Sequence, residues 1–262
     1  MVFGQAQNLY TGPTALPPQG KPQSIQNVGI DQRLDQQIPL DLEFRDEAGK
    51  PVRLGQYFGS KPAILTMVYY TCPMLCGEVQ SGLTSALQIL KFNAGKEFDV
   101  ISVSINPEEG PEDAVAKKKQ FVSRYRRAGA DQGWHFLTGQ KPEIDALAKS
   151  VGFRYNYDPQ TKQYAHATAV MVVTPEGKIA QYFYGIEYAP KDLRLALVQA
   201  SQNKIGTLAD AVLLYCFHYD PNTGRYSAAV LNLVRLAGIL TVFTIGGFVM
   251  VNLRRESREN RR

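Results

Sequence analysis

Two cysteines and one histidine supply the donor types from which metal and redox sites are built. Cys72 and Cys76 lie four positions apart in the run YYTCPMLCGEV, and His166 follows much later in YAHATAVMVV. Thiols at positions i and i+4 of a helix lie on one face, where they can bind one metal ion or approach the geometry of a disulfide. Two thiolates and an imidazole suit copper, because sulfur favours Cu(I) and nitrogen tolerates Cu(II). The two thiols alone leave both metal binding and redox cycling open.

The pattern around the cysteines predicts a helix that begins directly after a buried strand. Residues 62–70, PAILTMVYY, form a continuous apolar run, which is typical of a central strand covered on both faces. Pro73 suits the first helical position, and apolar residues then recur at helical spacing: Val79, Leu83, Leu87 and Leu90. The positive end of a helix dipole lowers the pKa of a nearby cysteine, and the thiolate is the reactive form. The pair is therefore expected to be reactive.

The rest of the chain predicts strands that alternate with helices. The predicted elements are a hairpin at 38–54, strands at 98–105 and 134–137, helices at 112–127 and 142–151, strands at 168–174 and 178–184, and a helix at 190–202. This order predicts an α/β fold in which helices flank a mixed sheet, with ligands beyond the carboxyl ends of the parallel strands. His166 precedes the strand at 168–174 and can lie beside that edge, although a lone histidine there is more often structural.

The charge of the chain gives no evidence for a nucleic-acid surface. The formal net charge is +5, and the last nine residues, with five arginines and two glutamates, supply three of these charges. The basic balance thus reflects a tail, and we expect no nucleic-acid partner. A chain of 262 residues can bury a full core, and its three cysteines are too few for a disulfide-stapled scaffold. One main domain is expected.

The C-terminal region predicts a single membrane-spanning helix. Residues 236–251, LAGILTVFTIGGFVMV, carry no charge, and the apolar region extends over residues 228–253, which is long enough to cross a bilayer. The basic tail at 254–262 should stay in the cytoplasm by the positive-inside rule, so the main domain should face the periplasm or the cell exterior. We predict a single-pass protein of the bacterial inner (cytoplasmic) membrane.

Two further segments flank the predicted main domain. Residues 1–37 are rich in Gln, Pro, Gly and Asn, which predicts a flexible leader or tether. Export of the domain requires a signal sequence, and the opening MVFGQAQ is similar to the tail of one, so we expect the natural start upstream and cleavage near Ala6. Residues 204–227 form a juxtamembrane segment with Cys216, His218 and a turn at 220–224. This Cys-x-His pair could bind a metal transiently, and Cys216 could be lipidated, but a structural role is favoured.

Four runs of the sequence resemble the Sco/SenC family: YYTCPMLCGEV, SVSINPEEGPED, WHFLTG and AHATAVMVVTPEGKI. These are copper-binding proteins of thioredoxin fold that help to assemble the copper centre of cytochrome c oxidase. The resemblance implies a thioredoxin-like domain at 38–203 with Cys72, Cys76 and His166 as copper ligands. It also implies the copper-containing oxidase subunit as partner, with other copper chaperones or thioredoxin-like reductants as further partners. The sequence departs from the family pattern at Asn106, where an aspartate is expected, and in a membrane anchor that follows the domain.

Three functions are compatible with these residues. The first is a copper metallochaperone that passes the ion on by ligand exchange. The second is a thiol-disulfide oxidoreductase, in which Cys72 and Cys76 reduce the cysteines of the oxidase copper site. A peroxidase ranks last, because no lysine or arginine flanks Cys72 to activate it. Trp134, His135 and the tyrosines of 155–164 are interpreted as packing residues, the tyrosines in a sheet or hairpin.

Overall fold

The computed structural model describes residues 27–72 and 76–204, two residue pairs at 219–220 and 225–226, and six positions between 238 and 246. The chain divides into two compact units, Met1–Ile205 and Gly206–Arg262. In the first unit the strands are β1 (Gly29–Ile30), β2 (Glu43–Arg45), β3 (Pro51–Arg53), β4 (Ala63–Val68), β5 (Asp99–Ser104), β6 (Trp134–Leu137), β7 (Phe153–Asp158), β8 (Gln163–His166), β9 (Ala169–Val173) and β10 (Ile179–Tyr184). Its helices are α1 (Cys76–Ile89), α2 (Pro111–Tyr125), α3 (Ala130–Gly133), α4 (Lys141–Ser150) and α5 (Pro190–Ser201).

A five-stranded mixed sheet forms the centre of this unit. Its strand order is β10-β9-β4-β5-β6, with β4, β5 and β6 parallel and with β9 antiparallel to both of its neighbours. Every residue of β4, β5 and β9 is buried, which explains why β4 and β9 read as nearly continuous apolar runs. Strand β5 also buries three polar residues, Asp99, Ser102 and Ser104. Helix α2 packs against β6, α5 packs against β9 and β10, and α1 contacts both α2 and α5. The predicted α/β class and its helix-flanked mixed sheet are confirmed.

Most predicted elements are confirmed within a few residues of their bounds. The hairpin at 38–54 contains the antiparallel pair β2–β3, and the tyrosines of 155–164 lie in a second hairpin, β7–β8. Helix α1 is described from Cys76 onward, because residues 73–75 lie outside the described part of the chain. The helix start at Pro73 therefore stays a prediction.

Residues 27–37, which the sequence analysis assigned to the leader, are built into the domain. Strand β1 pairs antiparallel with β7. Further along, the Asp35 amide donates to the Ile179 carbonyl at 2.9 Å, and Lys178 forms an ion pair with the Asp35 carboxylate at 3.0 Å. A strand of two residues is too short to show alternation, so the sequence does not reveal it. Residues 1–26 lie outside the description.

The second unit is described at only a few positions. Strands β11 (Tyr219–Asp220) and β12 (Arg225–Tyr226) pair antiparallel on either side of the predicted turn. The six positions described between 238 and 246 are helical, and among them Ile239, Phe243 and Ile245 are mostly exposed. No helix formed by the described residues is both long enough and apolar enough to cross a membrane. The rest of the helix predicted at 228–253, the basic tail and both Cys216 and His218 lie outside the description.

His135, interpreted from the sequence as a packing residue, lies in β6 with its ring centroid 4.3 Å from that of Tyr57. Burial, the largest cause, lowers the pKa of His135 to about 4. An unfolded chain holds a histidine with a pKa near 6.5, so between pH 6.5 and pH 4 the unfolded state binds the proton more strongly. Stability from this group is fully present above pH 6.5 and falls as the pH drops through that window.

We expect the loss to reach about 3 kcal/mol by pH 4, since each pKa unit corresponds to about 1.4 kcal/mol. His135→Phe keeps the ring contact with Tyr57 and removes the titrating group. Urea unfolding at pH 7 and pH 4.5 should therefore show a smaller decrease in the variant than in the wild type. Equal decreases in both proteins would contradict this role of His135.

Candidate metal centre

Cys72 lies beyond the carboxyl end of the central strand of the sheet. Strand β4 ends at Val68, and the chain continues through Tyr69, Tyr70 and Thr71 to the half-buried Cys72. Helix α1 is described from Cys76 onward, and the side chain of Cys76 lies outside the description. The carboxyl ends of parallel strands are where ligands bind in sheets of this kind. The backbone therefore brings both cysteines to the predicted edge of the sheet.

His166 reaches the same region from the β7–β8 hairpin. It is the last residue of β8 and pairs with Tyr155 of β7, so it precedes the predicted strand at 168–174 and also belongs to a strand of its own. Its ring packs edge-on against Tyr69, with 6.1 Å between ring centroids, and lies 5.7 Å from the Phe153 ring. Because Tyr69 is three residues before Cys72, this contact brings the histidine to the segment that carries the thiol.

The hydrogen bonding of His166 fixes which of its nitrogens can bind a metal. Nδ1 lies 2.9 Å from the carbonyl oxygen of Ala167. A carbonyl only accepts, so Nδ1 carries the proton and Nε2 carries the lone pair that a metal ion requires. Burial, the largest cause, lowers the pKa of His166, while the hydrogen bond to Ala167 opposes that shift. The imidazole thus stays neutral at lower pH than an exposed histidine, which is the form that ligates.

Tyrosine rings pack against one another on the hairpin that carries His166. Tyr164 packs against Tyr69, Tyr155 and Tyr157, with centroid distances of 5.6, 5.8 and 5.0 Å. The hydroxyl of Tyr155 donates to the Asp145 carboxylate at 2.7 Å, and burial followed by that carboxylate raises the pKa of Tyr155. The rings form a packed wall on this hairpin, which agrees with their interpretation as packing residues.

Asn106, where the family resemblance predicts aspartate, lies in the turn that follows β5. Its Oδ1 accepts a hydrogen bond from the Glu108 amide at 3.0 Å and one from the Tyr164 hydroxyl at 3.4 Å. Asparagine serves well in such a turn because its short side chain bonds to the backbone two residues on. The side chain links the turn to the tyrosine wall and brings no charge to the site.

Glu109 is the residue at this edge that sequence reasoning missed. Its carboxylate is buried, with 6% of the residue exposed, and it accepts hydrogen bonds from the two residues that precede Cys72. The only signal was an acidic pair, Glu108-Glu109, in the turn after β5. Nothing in that pair shows which carboxylate turns inward.

The structure describes the side chains of two of the three predicted ligands, Cys72 and His166. Among residues whose side chains the structure describes, no group of three His, Cys, Asp or Glu is arranged to hold a metal ion. The predicted set includes Cys76, whose side chain is outside that description. Cys72, Cys76 and His166 as a common ligand set therefore remain a prediction.

With this geometry established, comparison with known proteins identifies the family. The SCO1/SenC family model matches residues 30–202, and the chain belongs to that family. A curated relative, the SCO1 protein homolog of Bacillus subtilis (strain 168), is 28% identical over 161 residues, which cover 59% of this chain and 80% of the relative.

Solved structures show the same fold. A protein from Aquifex aeolicus VF5 proposed to transfer electrons is 26% identical, covers 68% of this chain and 98% of its own, and superposes with a TM-score of 0.58. BsSco, described as a member of the Sco family of cytochrome c oxidase assembly proteins with a disulfide switch, is 21% identical, with coverages of 66% and 99% and a TM-score of 0.52. Sco homologues have been crystallised with copper bound.

Proposed function

We propose that the chain is a copper metallochaperone that assists assembly of the copper centre of a respiratory cytochrome c oxidase. Cys72, Cys76 and His166 bind the ion, and ligand exchange passes it to cysteines of the copper-containing oxidase subunit. The observation that carries the proposal is the placement of His166: it packs against Tyr69, three residues before Cys72, with Nδ1 engaged by the Ala167 carbonyl. Two soft sulfurs and one imidazole nitrogen form a donor set that favours copper.

Copper is the cargo in this proposal, so the site must both hold and release it. Cys72 is half-buried and lies in the segment between β4 and α1, where an acceptor thiolate can approach. A set of three protein ligands leaves a coordination position open for the acceptor to enter before the donor ligands leave. These features favour binding and release of copper over a catalysed reaction.

Attachment to the bacterial inner membrane forms part of the proposal. It rests on the uncharged run at 236–251, the basic tail after it, and the positive-inside rule, which together orient the domain toward the periplasm or cell exterior. Membrane attachment would keep the copper site near a membrane-embedded oxidase. Release of the full chain from membranes by alkaline carbonate, without detergent, would contradict it.

A thiol-disulfide oxidoreductase is the second candidate, and the position of the cysteines at the start of α1 favours it. The Cys72 thiolate would attack a partner disulfide and release one partner thiolate, and Cys76 would then displace the second. Two electrons pass to the partner, and a Cys72–Cys76 disulfide remains. A thioredoxin-like reductant would have to restore the dithiol.

His166 separates the two functions, because disulfide exchange does not need it. In His166→Ala we expect copper affinity to fall on the order of 100-fold, since loss of a ligand should exceed the loss of an outer-shell partner, about 10- to 100-fold. Thiol exchange with a disulfide substrate should change by less than about threefold, the disulfide pair being intact. Competitive copper titration and stopped-flow thiol exchange measure the two properties.

His135→Ala is the matched control for this experiment. His135 is also half-buried with a lowered pKa, but it packs against Tyr57 and pairs with Ile101 in the middle of β5, away from the carboxyl end of the sheet. Its replacement should leave copper affinity unchanged. Unchanged copper affinity in His166→Ala, with slowed thiol exchange, would favour the oxidoreductase function and contradict the proposed role of His166 as a ligand.

A further inference from the structure

Four hydrogen bonds converge on the buried carboxylate of Glu109. Oε1 accepts from the Thr71 amide and from the Thr71 hydroxyl, each at 2.7 Å. Oε2 accepts from the Tyr70 amide at 2.8 Å and from the Ser104 hydroxyl at 2.5 Å. An ionised carboxylate has no protons to donate and about four acceptor positions, so this arrangement satisfies it fully. Burial of a charge is costly unless it is compensated in this way.

Three of the four donors belong to the two residues immediately before Cys72. The backbone of Tyr70 and Thr71 has left strand β4, so Glu109 takes the place of a strand partner for their amides. The Tyr70 ring is anchored as well, with its hydroxyl oxygen 2.8 Å from the carbonyl oxygens of Ser102 and Leu137. The segment that leads into Cys72 is therefore held at its backbone and at a side chain.

From this geometry we propose that Glu109 is a positioning residue for Cys72, and that its charge favours a cation in the thiol site. The positioning role stands without the proposed function, whereas the effect of the charge on a bound cation rests on it. Asn106 holds its own turn and carries no charge, so Glu109 provides the buried carboxylate that the end of β5 brings to this edge. Residues that orient ligands tune both affinity and access.

The test compares Glu109→Gln with wild type in the full chain. The amide is nearly isosteric with the carboxylate. Its NH₂ group, in the place of Oε2, cannot accept the hydrogen bonds that the Tyr70 amide and the Ser104 hydroxyl donate. Loosening the segment and removing a nearby negative charge should both raise the reactivity of Cys72. We expect alkylation of Cys72 by iodoacetamide, quantified for each cysteine by mass spectrometry, to become at least about fivefold faster. Copper affinity should fall by about 10- to 100-fold.

Asp99→Asn supplies a matched control for a general loss of stability. Asp99 is buried to the same degree, with 5% exposed, and pairs with Lys61 at 2.9 Å. It begins β5, whereas Ser104 ends that strand, so it lies at the opposite edge of the sheet. Both variants should lower the melting temperature, but Asp99→Asn should leave Cys72 alkylation and copper affinity unchanged.

Alkylation decides the positioning role even if the chain binds no copper. Unchanged alkylation in a folded Glu109→Gln, or an equal increase in Asp99→Asn, would overturn it. If Glu109→Gln is alkylated faster but wild type binds no copper, the metallochaperone function is refuted and the positioning role is retained. If Glu109→Gln is alkylated faster but its copper affinity is unchanged, the proposed effect of the charge on the cation is refuted. If Glu109→Gln does not fold, Thr71→Val removes only one hydroxyl donor, and it should raise alkylation by at least about twofold; no increase would overturn the positioning role.

Discussion

Cys72→Ser and Cys76→Ser should each abolish tight copper binding by the full chain. A serine hydroxyl is a hard donor that stays neutral near pH 7, whereas Cu(I) prefers soft thiolates. Outer-shell changes already cost about 10- to 100-fold, so loss of a sulfur ligand should cost on the order of 1,000-fold or more. Competition with a chromophoric Cu(I) chelator under anaerobic conditions measures this loss.

The third cysteine provides the control for that experiment. Cys216 is distant in sequence and is not expected to share the ion, so Cys216→Ser should keep the affinity of the wild type. Retention of tight binding in either Cys72→Ser or Cys76→Ser would contradict a two-sulfur site. A loss in Cys216→Ser would bring the juxtamembrane Cys-x-His pair into the ligand set.

Gly82→Ala should strongly destabilise the domain that holds the site. Gly82 lies in α1, and a methyl group added there would overlap the backbone carbonyl of Ile186, which cannot move as a side-chain end could. Overpacking against rigid backbone costs about 3 kcal/mol or more. Because α1 begins at Cys76, any displacement of the helix would also move the second thiol.

Gly77→Ala tests the same substitution in the same helix at an open position. Apart from its chain neighbours and the backbone of its own helix, no atom of the described residues lies within 4 Å of a methyl group placed there. Alanine is favoured over glycine inside a helix by about 0.5–1 kcal/mol, so this variant should be slightly more stable. Thermal unfolding by circular dichroism measures both variants, and equal stability of Gly82→Ala and wild type would refute close packing against Ile186.

The sheet was predictable because its strands are covered on both faces. Residues 62–70 read as an apolar run interrupted only by Thr66, residues 98–105 are rich in Val and Ile, and the structure buries every position of β4 and β5. Burial on two faces removes the need for polar alternation, and helices must then lie between parallel strands. The order of elements thus follows from composition and connection length.

The surroundings of the site were less predictable because they depend on pairing over long sequence separations. His166 lies at the end of a hairpin strand whose partner, β7, also binds the two-residue strand β1. Strand β7 alternates aromatic and polar residues in FRYNYD, but that period does not show which strands it pairs with, or that His166 ends one of them. Glu109 shows the same limit: its neighbour Glu108 is equally acidic, but only the fold decides which carboxylate faces the Tyr70 and Thr71 amides.

The position of the cysteine pair in the fold was predictable because the pattern around it is local, whereas its role as a site stays a prediction. A buried strand that ends at Thr71-Cys72-Pro73, followed by helical spacing, sets both thiols near a helix start whatever the rest of the chain does. Their proposed partner in the ligand set is not local. It was the family resemblance that singled out His166, and the structure adds its packing against Tyr69.

X-ray absorption spectroscopy at the copper edge of the full chain, loaded with one equivalent of copper, tests the central claim most directly. The account predicts one copper ion per chain with two sulfur ligands and one nitrogen ligand, the nitrogen being lost in His166→Ala. Stoichiometric copper with only oxygen and nitrogen ligands, or no specifically bound copper, would contradict it.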